Sequence, residues 1–188
     1  MWLVVSNRML RKILSLDSNS DFYREHLSWT KKFVRDNIQT IEKNYDSRPN
    51  DNPWDCDCHV VHDNNKTFDP IDFELLRRNY IKPITNFCKR NNYKGCSVSN
   101  LWYNYYKKNQ YQEPHIHDEH GVGYTVVHYL LFDKRYHSQT QFTDPGIVSP
   151  KVRAGDVLFF PASYEHYVPE NDSDVPRLTV AFTINPYG

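Results

Sequence analysis

The feature that most constrains the fold is a series of short apolar runs in the second half of the chain. The runs are rich in β-branched and aromatic residues, and Gly, Pro, Asn and Asp separate them, as is typical of strands joined by turns. They span 98–106, 124–132, 140–142, 157–160 and 178–184. Because helical patterns precede this series, the sequence predicts an α+β fold whose all-β half closes as a sandwich or barrel.

Two amphipathic helices are predicted before the strands. Apolar residues recur every three to five positions from Ser18 to about Tyr45, which indicates a helix with one buried face. Asp69-Pro70 opens a second helix that ends near Asn91-Asn92, since proline suits the first turn. Pro83 lies inside this second pattern and is expected to kink or divide the helix.

The composition of the segment between the helices predicts a loop. The length of the chain predicts a single domain. Residues 46–65 are rich in Asp, Asn, Pro and Ser, with one short strand expected around Cys58 to Val61. A length of 188 residues is enough for one good core. We expect a single domain over 1–188, with helical support and a loop in 1–95 and a catalytic core in 96–188.

Charge and composition narrow the class of partner and the compartment. Lys+Arg and Asp+Glu balance at 23 each, so the protein has no net positive charge that would attract nucleic acid or an anionic membrane. We therefore expect a small-molecule or peptidyl substrate. The apolar stretch Trp2 to Val5 is too short for a signal segment or membrane span, which predicts a cytoplasmic protein with reduced cysteines.

One cysteine cluster raises the question of a zinc site. Cys56 and Cys58 lie beside His59 and His62. A structural zinc site usually draws on two matched pairs of ligands, and a C-x-C pair lacks the second. Zinc is therefore the less favoured interpretation, and the role of the two cysteines stays open.

Three histidines in two separate segments predict a metal site. His115 and His117 are two residues apart and would project from the same face of a strand. His166 follows in the pattern G-D-x4-P-x4-H, in which Gly155-Asp156 is expected to make a tight turn into a strand. Imidazoles brought together from distant segments are typical of a divalent transition metal with open coordination positions.

Other histidines are interpreted as structural. His120 is expected to be a loop neighbour of the site, His128 a partly buried strand residue and His137 a surface residue. Leu158, Phe159 and Phe160 are expected in the core rather than at the site.

The final strand has two different faces. Side chains alternate along a strand, so Arg177 and Thr179 share one face with Ala181. The opposite face is apolar and contains Leu178, Val180, Phe182 and Ile184. If the apolar face packs on the helices, Arg177 faces the interior of the barrel. A buried guanidinium there needs an anionic partner.

Several pieces of the second half carry a family resemblance. They are WYNYY at 102–106, QEPHIH at 112–117, YLLFD at 129–133 and AGDVLFFPASYEHYVPENDSDVPRLTVAFTIN at 154–185. Together they resemble the iron(II)- and 2-oxoglutarate-dependent oxygenases, in particular a phage and bacterial branch with a P-H-x-H signature. The resemblance covers about 90 residues and is most specific in its last third; residues 1–95 carry no part of it.

The resemblance implies a double-stranded β-helix, a jelly-roll or cupin-like barrel with N-terminal supporting helices. It also implies Fe(II) as cofactor, 2-oxoglutarate as cosubstrate and hydroxylation of an unidentified substrate. Arg177 would bind the distal carboxylate of 2-oxoglutarate, with Thr179 adding a hydrogen bond. Tyr105 or Tyr103 of the first strand could also contact the cosubstrate, although packing inside the barrel explains these tyrosines equally well.

The sequence departs from the family in its metal ligands. The usual motif is H-x-D or H-x-E followed by a distal histidine, whereas His117 stands two positions after His115. Either His115, His117 and His166 are the three metal ligands, which is the interpretation we prefer, or His117 and Glu119 form the H-x-E pair of ligands. In the second case His115 contacts the ligands and not the metal. Asp118 is a further candidate carboxylate.

One rival enzyme class uses a similar motif. A cupin-type dioxygenase or isomerase that does not use 2-oxoglutarate also fits H-x-H and a distal histidine. Against it, Ser163 stands where a cupin usually has glycine, Gly121 and Val122 stand where it has glutamate, and a cupin does not need Arg177. A metal-free binding or structural β-domain is a second rival.

Overall fold

Two helices form the outer layer of the protein. The computed structural model describes residues 21–45, 58–62, 73–117 and 123–188. Helix α1 spans Asp21–Tyr45 and α2 spans Phe73–Arg90, close to the predicted positions. Pro83 lies inside one continuous α2, so the helix is not divided there as one alternative expected. Packing explains this, because α2 contacts the core on both sides of Pro83, through Tyr80 and Phe87.

Eight strands follow or lie between the helices. They are β1 (His59–His62), β2 (Gly95–Tyr106), β3 (Gln112–His115), β4 (Tyr124–Leu131), β5 (Gln141–Phe142), β6 (Val157–Pro161), β7 (His166–Val168) and β8 (Arg177–Tyr187). The five predicted runs match β2, β4, β5, β6 and β8. Strand β7 was not predicted, since three residues are too few to show a period of two.

The strands build two antiparallel sheets. One sheet has the order β1-β2-β8-β4-β6 and the other the order β3-β7-β5. From β2 to β8, successive strands alternate between the two sheets, so the chain winds back and forth across the interior. The α+β prediction is therefore confirmed, and the winding agrees with the implied double-stranded β-helix.

The larger sheet separates two cores. On one face, Leu178, Val180, Phe182 and Ile184 pack with residues of α1 and α2. On the other face, Ala181 packs with side chains of β4, β6 and β7 between the two sheets. The predicted face assignment of β8 is thus confirmed, and Arg177 and Thr179 face the space between the sheets. Neither helix of the described segments has the length and apolarity needed to cross a bilayer.

A glycine turn fixes how α1 sits on the sheet. Gly155 has a positive φ of 88°, which non-glycine residues rarely adopt. Its N–H donates to the carbonyl of Tyr129 at 2.8 Å. A Cβ at this position would lie 2.8 Å from Cδ1 of Leu27 in α1. The expected turn at Gly155-Asp156 is therefore also the point of closest approach between this loop and the helix.

A buried pair of histidines lies where the helices meet the sheet. His128 of β4 is fully buried, rather than partly buried as expected, and its ring lies 4.8 Å from that of His26. Its Nδ1 is 2.9 Å from the hydroxyl of Tyr80 and its Nε2 is 3.1 Å from Oγ1 of Thr30. Burial lowers the pKa of His26 to about 4 and that of His128 well below 6.5. Both imidazoles are therefore neutral in the folded protein at neutral pH.

The histidine pair predicts loss of stability in mild acid. Between pH 6.5 and about 4, the unfolded chain binds protons that the folded protein excludes, so the free energy of unfolding falls as pH falls. Each such histidine contributes a slope of up to about 1.4 kcal/mol per pH unit. Urea unfolding at a series of pH values measures this slope.

The variant His128→Gln separates this pair from the other buried histidines. It removes one titrating group, so its free energy of unfolding is expected to depend less steeply on pH, by the contribution of about one proton. The same slope in the parent and the variant would show that His128 does not contribute to the acid response.

Candidate active site

A cavity lies between the two sheets in the described part of the protein. Its empty volume is about 300 Å³, and it opens to solvent. Its walls come from β2, β3, β4, β7 and β8 and from the segments beside β3 and β5. The lining residues are Trp102, Asn104, Tyr106, Gln112, His115, His117, Val127, Thr140, His166, Val168, Arg177, Thr179 and Ala181.

Three histidines converge in this cavity. His115 of β3 is the direct register partner of His166 in the antiparallel strand β7. His117 follows the end of β3, and its N–H donates to the carbonyl of Ala162 at 3.0 Å. One ligand nitrogen from each of the three imidazoles lies within 4.8 Å of the others. The pairing of β3 with β7 thus brings His166 beside His115 and His117, although about 50 residues separate it from them in the chain.

Backbone carbonyls orient two of the rings. Nδ1 of His115 is 2.8 Å from the carbonyl oxygen of Glu113, and Nδ1 of His166 is 2.9 Å from that of Tyr164. A carbonyl oxygen only accepts, so Nδ1 carries the proton in each ring and Nε2 keeps its lone pair. Fixing the tautomer through the other ring nitrogen is how proteins prepare histidine as a metal ligand.

The three imidazoles are neutral in the folded protein. Burial lowers the pKa of His117 to about 3 and that of His166 well below 6.5, and the neighbouring histidines lower both further. Burial also lowers the pKa of His115, although Glu113 and Glu165 act in the opposite direction. Metal ligation requires deprotonated donors, so this donor set fits a divalent transition metal. The alternative ligands Asp118 and Glu119, and the loop residue His120, lie outside the described residues.

Arg177 is a buried cation in the same cavity. Its exposed fraction is 2%, and Nε and Nη1 have no hydrogen-bond partner. Its guanidinium carbon lies 4.7 Å from the ring centre of Tyr106 and 5.6 Å from that of Tyr129. A buried charge without an ionic partner is costly, and the two rings offset only part of that cost. The site therefore fits an anionic ligand group at Arg177.

Both tyrosines beside Arg177 are held by hydrogen bonds. The hydroxyl of Tyr106 donates to Oε1 of Gln112 at 2.9 Å, and that of Tyr129 donates to Oγ1 of Thr140 at 2.9 Å. Burial raises the pKa of both hydroxyls, so both remain protonated. The sequence analysis did not identify these two tyrosines, or their partners Gln112 and Thr140, as residues of the site.

The structure corrects one predicted cosubstrate contact. Tyr105 lies on the helix side of the sheet, and its hydroxyl donates to Oε1 of Glu42 in α1 at 3.1 Å. The expected contact of Tyr105 with the cosubstrate is therefore wrong, and Tyr103 packs in the same helix-facing core. Tyr106 faces the cavity instead. Asn104 could have revealed this, since it marks the polar face that Tyr106 shares by alternation.

Thr179 lines the cavity as expected. It is buried, and its Oγ1 is 3.5 Å from Nδ2 of Asn104. Oδ1 of Asn104 is also buried and lacks a partner. Polar groups of β2 and β8 thus face the same space as Arg177.

Two other predictions concern residues outside the cavity. His137 was expected at the surface, but it is buried. Its Nδ1 accepts from the N–H of Asp133 at 2.9 Å, and its Nε2 lies 3.0 Å from the carbonyl oxygen of Val175. Cys58 is buried against the inner core. Cys56 lies outside the described residues, so the role of the two cysteines stays open.

A family model matches the strands that carry this site. The model is described as "Putative 2OG-Fe(II) oxygenase" and matches residues 127–183, which include His166, Arg177 and Thr179. The match covers less than half of the chain, so it shows that this segment resembles the 2-oxoglutarate- and iron(II)-dependent oxygenases. This resemblance counts against the cupin alternative. No curated protein matches its sequence significantly.

Solved structures share the fold of this protein at low sequence identity. A Pseudomonas putida prolyl-4-hydroxylase is 12% identical, with a TM-score of 0.56 over 86% of this chain and 88% of its own. AviO1 from Streptomyces viridochromogenes Tue57 is 11% identical, with a TM-score of 0.56 over 88% and 85%. HygX from Streptomyces hygroscopicus, solved with nickel, 2-oxoglutarate and hygromycin B bound, is 13% identical, with a TM-score of 0.53 over 79% and 78%.

Proposed function

We propose that this protein is an iron(II)- and 2-oxoglutarate-dependent oxygenase, a hydroxylase in which His115, His117 and His166 hold the metal and Arg177 binds 2-oxoglutarate. The observation that carries the proposal is the combination of three neutral imidazoles and one guanidinium without an ionic partner among the described residues, all in a single buried cavity. A dicarboxylate that reaches both would supply the anion that Arg177 lacks. Iron(II) bound there supplies activation of dioxygen, coupled to decarboxylation of 2-oxoglutarate to succinate.

The residues around Arg177 bind and orient the cosubstrate. The guanidinium donates to the distal carboxylate, and charge-assisted bonds of this kind are the strong ones. Tyr106 and Tyr129 contact the guanidinium, and their anchored hydroxyls limit its rotation. Thr179 offers a further hydroxyl from the same face of β8. These groups hold the cosubstrate in one orientation, which is the protein's main contribution to such chemistry.

The residues around the histidines prepare the metal site. The carbonyls of Glu113 and Tyr164 fix the tautomers of His115 and His166. The ring of Trp102 lies 5.1 Å from that of His117, and Phe160 packs against His166 at 4.6 Å. These aromatic walls limit the approach of water to the donors, which strengthens electrostatic interactions within the site.

The substrate is proposed only by class. HygX was solved with hygromycin B bound, and another structural neighbour is a prolyl-4-hydroxylase, which supports a small-molecule or peptidyl substrate for this chain. We propose that 46–68 and 134–150 form the variable walls that select it. The proposal also includes a single domain over 1–188 and a cytoplasmic location, which suits the free thiols of Cys58, Cys88 and Cys96.

Release of succinate tests the proposed function. Many oxygenases of this kind turn over 2-oxoglutarate slowly without substrate, so the purified protein is expected to release succinate when iron(II), 2-oxoglutarate and dioxygen are all present. Omission of any one of the three should remove the signal. Absence of succinate, with Arg177→Ala indistinguishable from the parent, would contradict the proposal.

A further inference from the structure

The donor set in the cavity carries no negative charge. His115, His117 and His166 are neutral ligands, and no described residue that lines the cavity is a carboxylate. Its other polar side chains are neutral amides and hydroxyls, and Arg177 is positive. The common iron site of oxygenases has two histidines and one carboxylate, so the three-histidine site holds one unit more of positive charge.

This difference changes the charge of the loaded site. The net charge of the loaded site rests on the proposed function, in which the histidines hold a divalent metal and 2-oxoglutarate binds as a dianion. The metal and Arg177 together carry three positive charges, of which the dianion neutralises two. One positive charge remains, whereas a carboxylate ligand would have brought the total to zero. A residual unit charge in a buried site attracts anions strongly because screening there is weak.

We propose that the metal centre of this protein binds a small monoanion, such as azide or chloride, beside 2-oxoglutarate, and that His117 makes this binding favourable. Three histidines and a bidentate 2-oxoacid leave one position open in an octahedral site. Binding is a simple exchange, in which the anion replaces one water and no electron is transferred. The affinity for such an anion is therefore set by the charge of the other ligands, and His117 stands where the family usually has a carboxylate.

Carboxylates that lie near the cavity but do not line it affect the anion affinity of the parent and of the variants alike. Glu113 and Glu165 act on His115 electrostatically. Glu165 is exposed and accepts from Oγ1 of Thr143 at 2.7 Å, and neither residue lines the cavity. Both are present in the parent and in every variant below, so their effects cancel when the affinities are compared.

Anion titration of the cobalt-loaded protein tests the inference without relying on turnover. The parent, saturated anaerobically with Co(II) and 2-oxoglutarate, is titrated with azide and then with chloride while the visible d–d bands of Co(II) are recorded. The variant His117→Asp restores a charged ligand. Because a unit charge within about 4 Å changes affinity by well over tenfold, the parent should bind azide at least about tenfold more tightly than this variant.

Two further variants keep the result interpretable. His117→Asn removes the imidazole without adding charge and is expected to bind azide more tightly than His117→Asp. Glu119→Gln is expected to match the parent. Equal azide affinity in the parent and His117→Asp would overturn the inference, and tighter azide binding by Glu119→Gln would overturn it as well, by revealing a carboxylate ligand at Glu119. Failure of the parent to bind Co(II) or 2-oxoglutarate would instead contradict the proposed function, and the inference with it.

Discussion

Replacement of His166 by alanine is expected to remove high-affinity metal binding. His166 supplies one of three donors and is almost fully buried, so no other described side chain can replace it at that position. Loss of groups that merely orient a ligand costs about 10- to 100-fold in metal affinity. Loss of the ligand itself should therefore weaken Fe(II) or Co(II) binding by at least about 100-fold, measured by anaerobic calorimetric titration.

His128→Gln is the matched control for this experiment. His128 is also a buried histidine, but it lies in the larger sheet, faces the helices and hydrogen-bonds to Tyr80. Its replacement should leave the metal affinity unchanged, although it also removes a buried imidazole. If His166→Ala bound metal as tightly as the parent, the three-histidine site would be wrong.

Replacement of Arg177 by methionine is expected to have opposite effects on ligand binding and on stability. Removing one partner of a buried charge pair costs about 2–5 kcal/mol, or roughly 30- to 4,000-fold in affinity. The affinity of the iron-loaded protein for 2-oxoglutarate should fall by that range, read from the visible charge-transfer band under anaerobic conditions. Without ligand, Arg177 is an unpaired buried charge, so the variant should unfold at an equal or higher temperature than the parent.

A second arginine provides the control. Arg135 is exposed and pairs with Asp133 on the surface, so Arg135→Met removes the same charge far from any buried ligand. Its 2-oxoglutarate affinity should equal that of the parent. A clear loss of thermal stability in ligand-free Arg177→Met would show that the guanidinium is satisfied in the folded protein, against the interpretation given above.

The sequence predicted the parts of the site that depend on local alternation. The faces of β8 followed from a strict period of two, because one face is apolar through Ile184 and the other begins with Arg177. The helices followed from apolar spacing, and Pro83 was the exception, since packing on both sides of it maintains a single helix. Residue patterns also grouped His115 and His117 with His166 as a candidate metal site, and the family resemblance implied the same set. They did not predict the pairing of β3 with β7 that places His115 opposite His166.

The sequence did not predict features that depend on long-range register. Alternation places Tyr105 and Tyr106 on opposite faces of β2, with Tyr106 on the face of Asn104. That this face meets Arg177 depends on the pairing of Tyr106 with Arg177 across β2 and β8, which was not predicted. The burial of His137 depends on the carbonyl of Val175 in another loop. The anchors of the two cavity tyrosines depend on the same kind of contact between distant segments.

The position of β8 has a consequence for how the protein is made. This strand follows all the other described strands in the chain, yet it lies in the middle of the larger sheet, between β2 and β4. Until it is synthesised, β2 and β4 have no common neighbour, and most pairings span long stretches of chain, a topology that folds slowly. Nascent chains therefore expose unpaired strand edges until β8 emerges from the ribosome, and such edges favour aggregation. Slow expression at low temperature or a chaperone that shields β2 and β4 should raise the yield of folded protein.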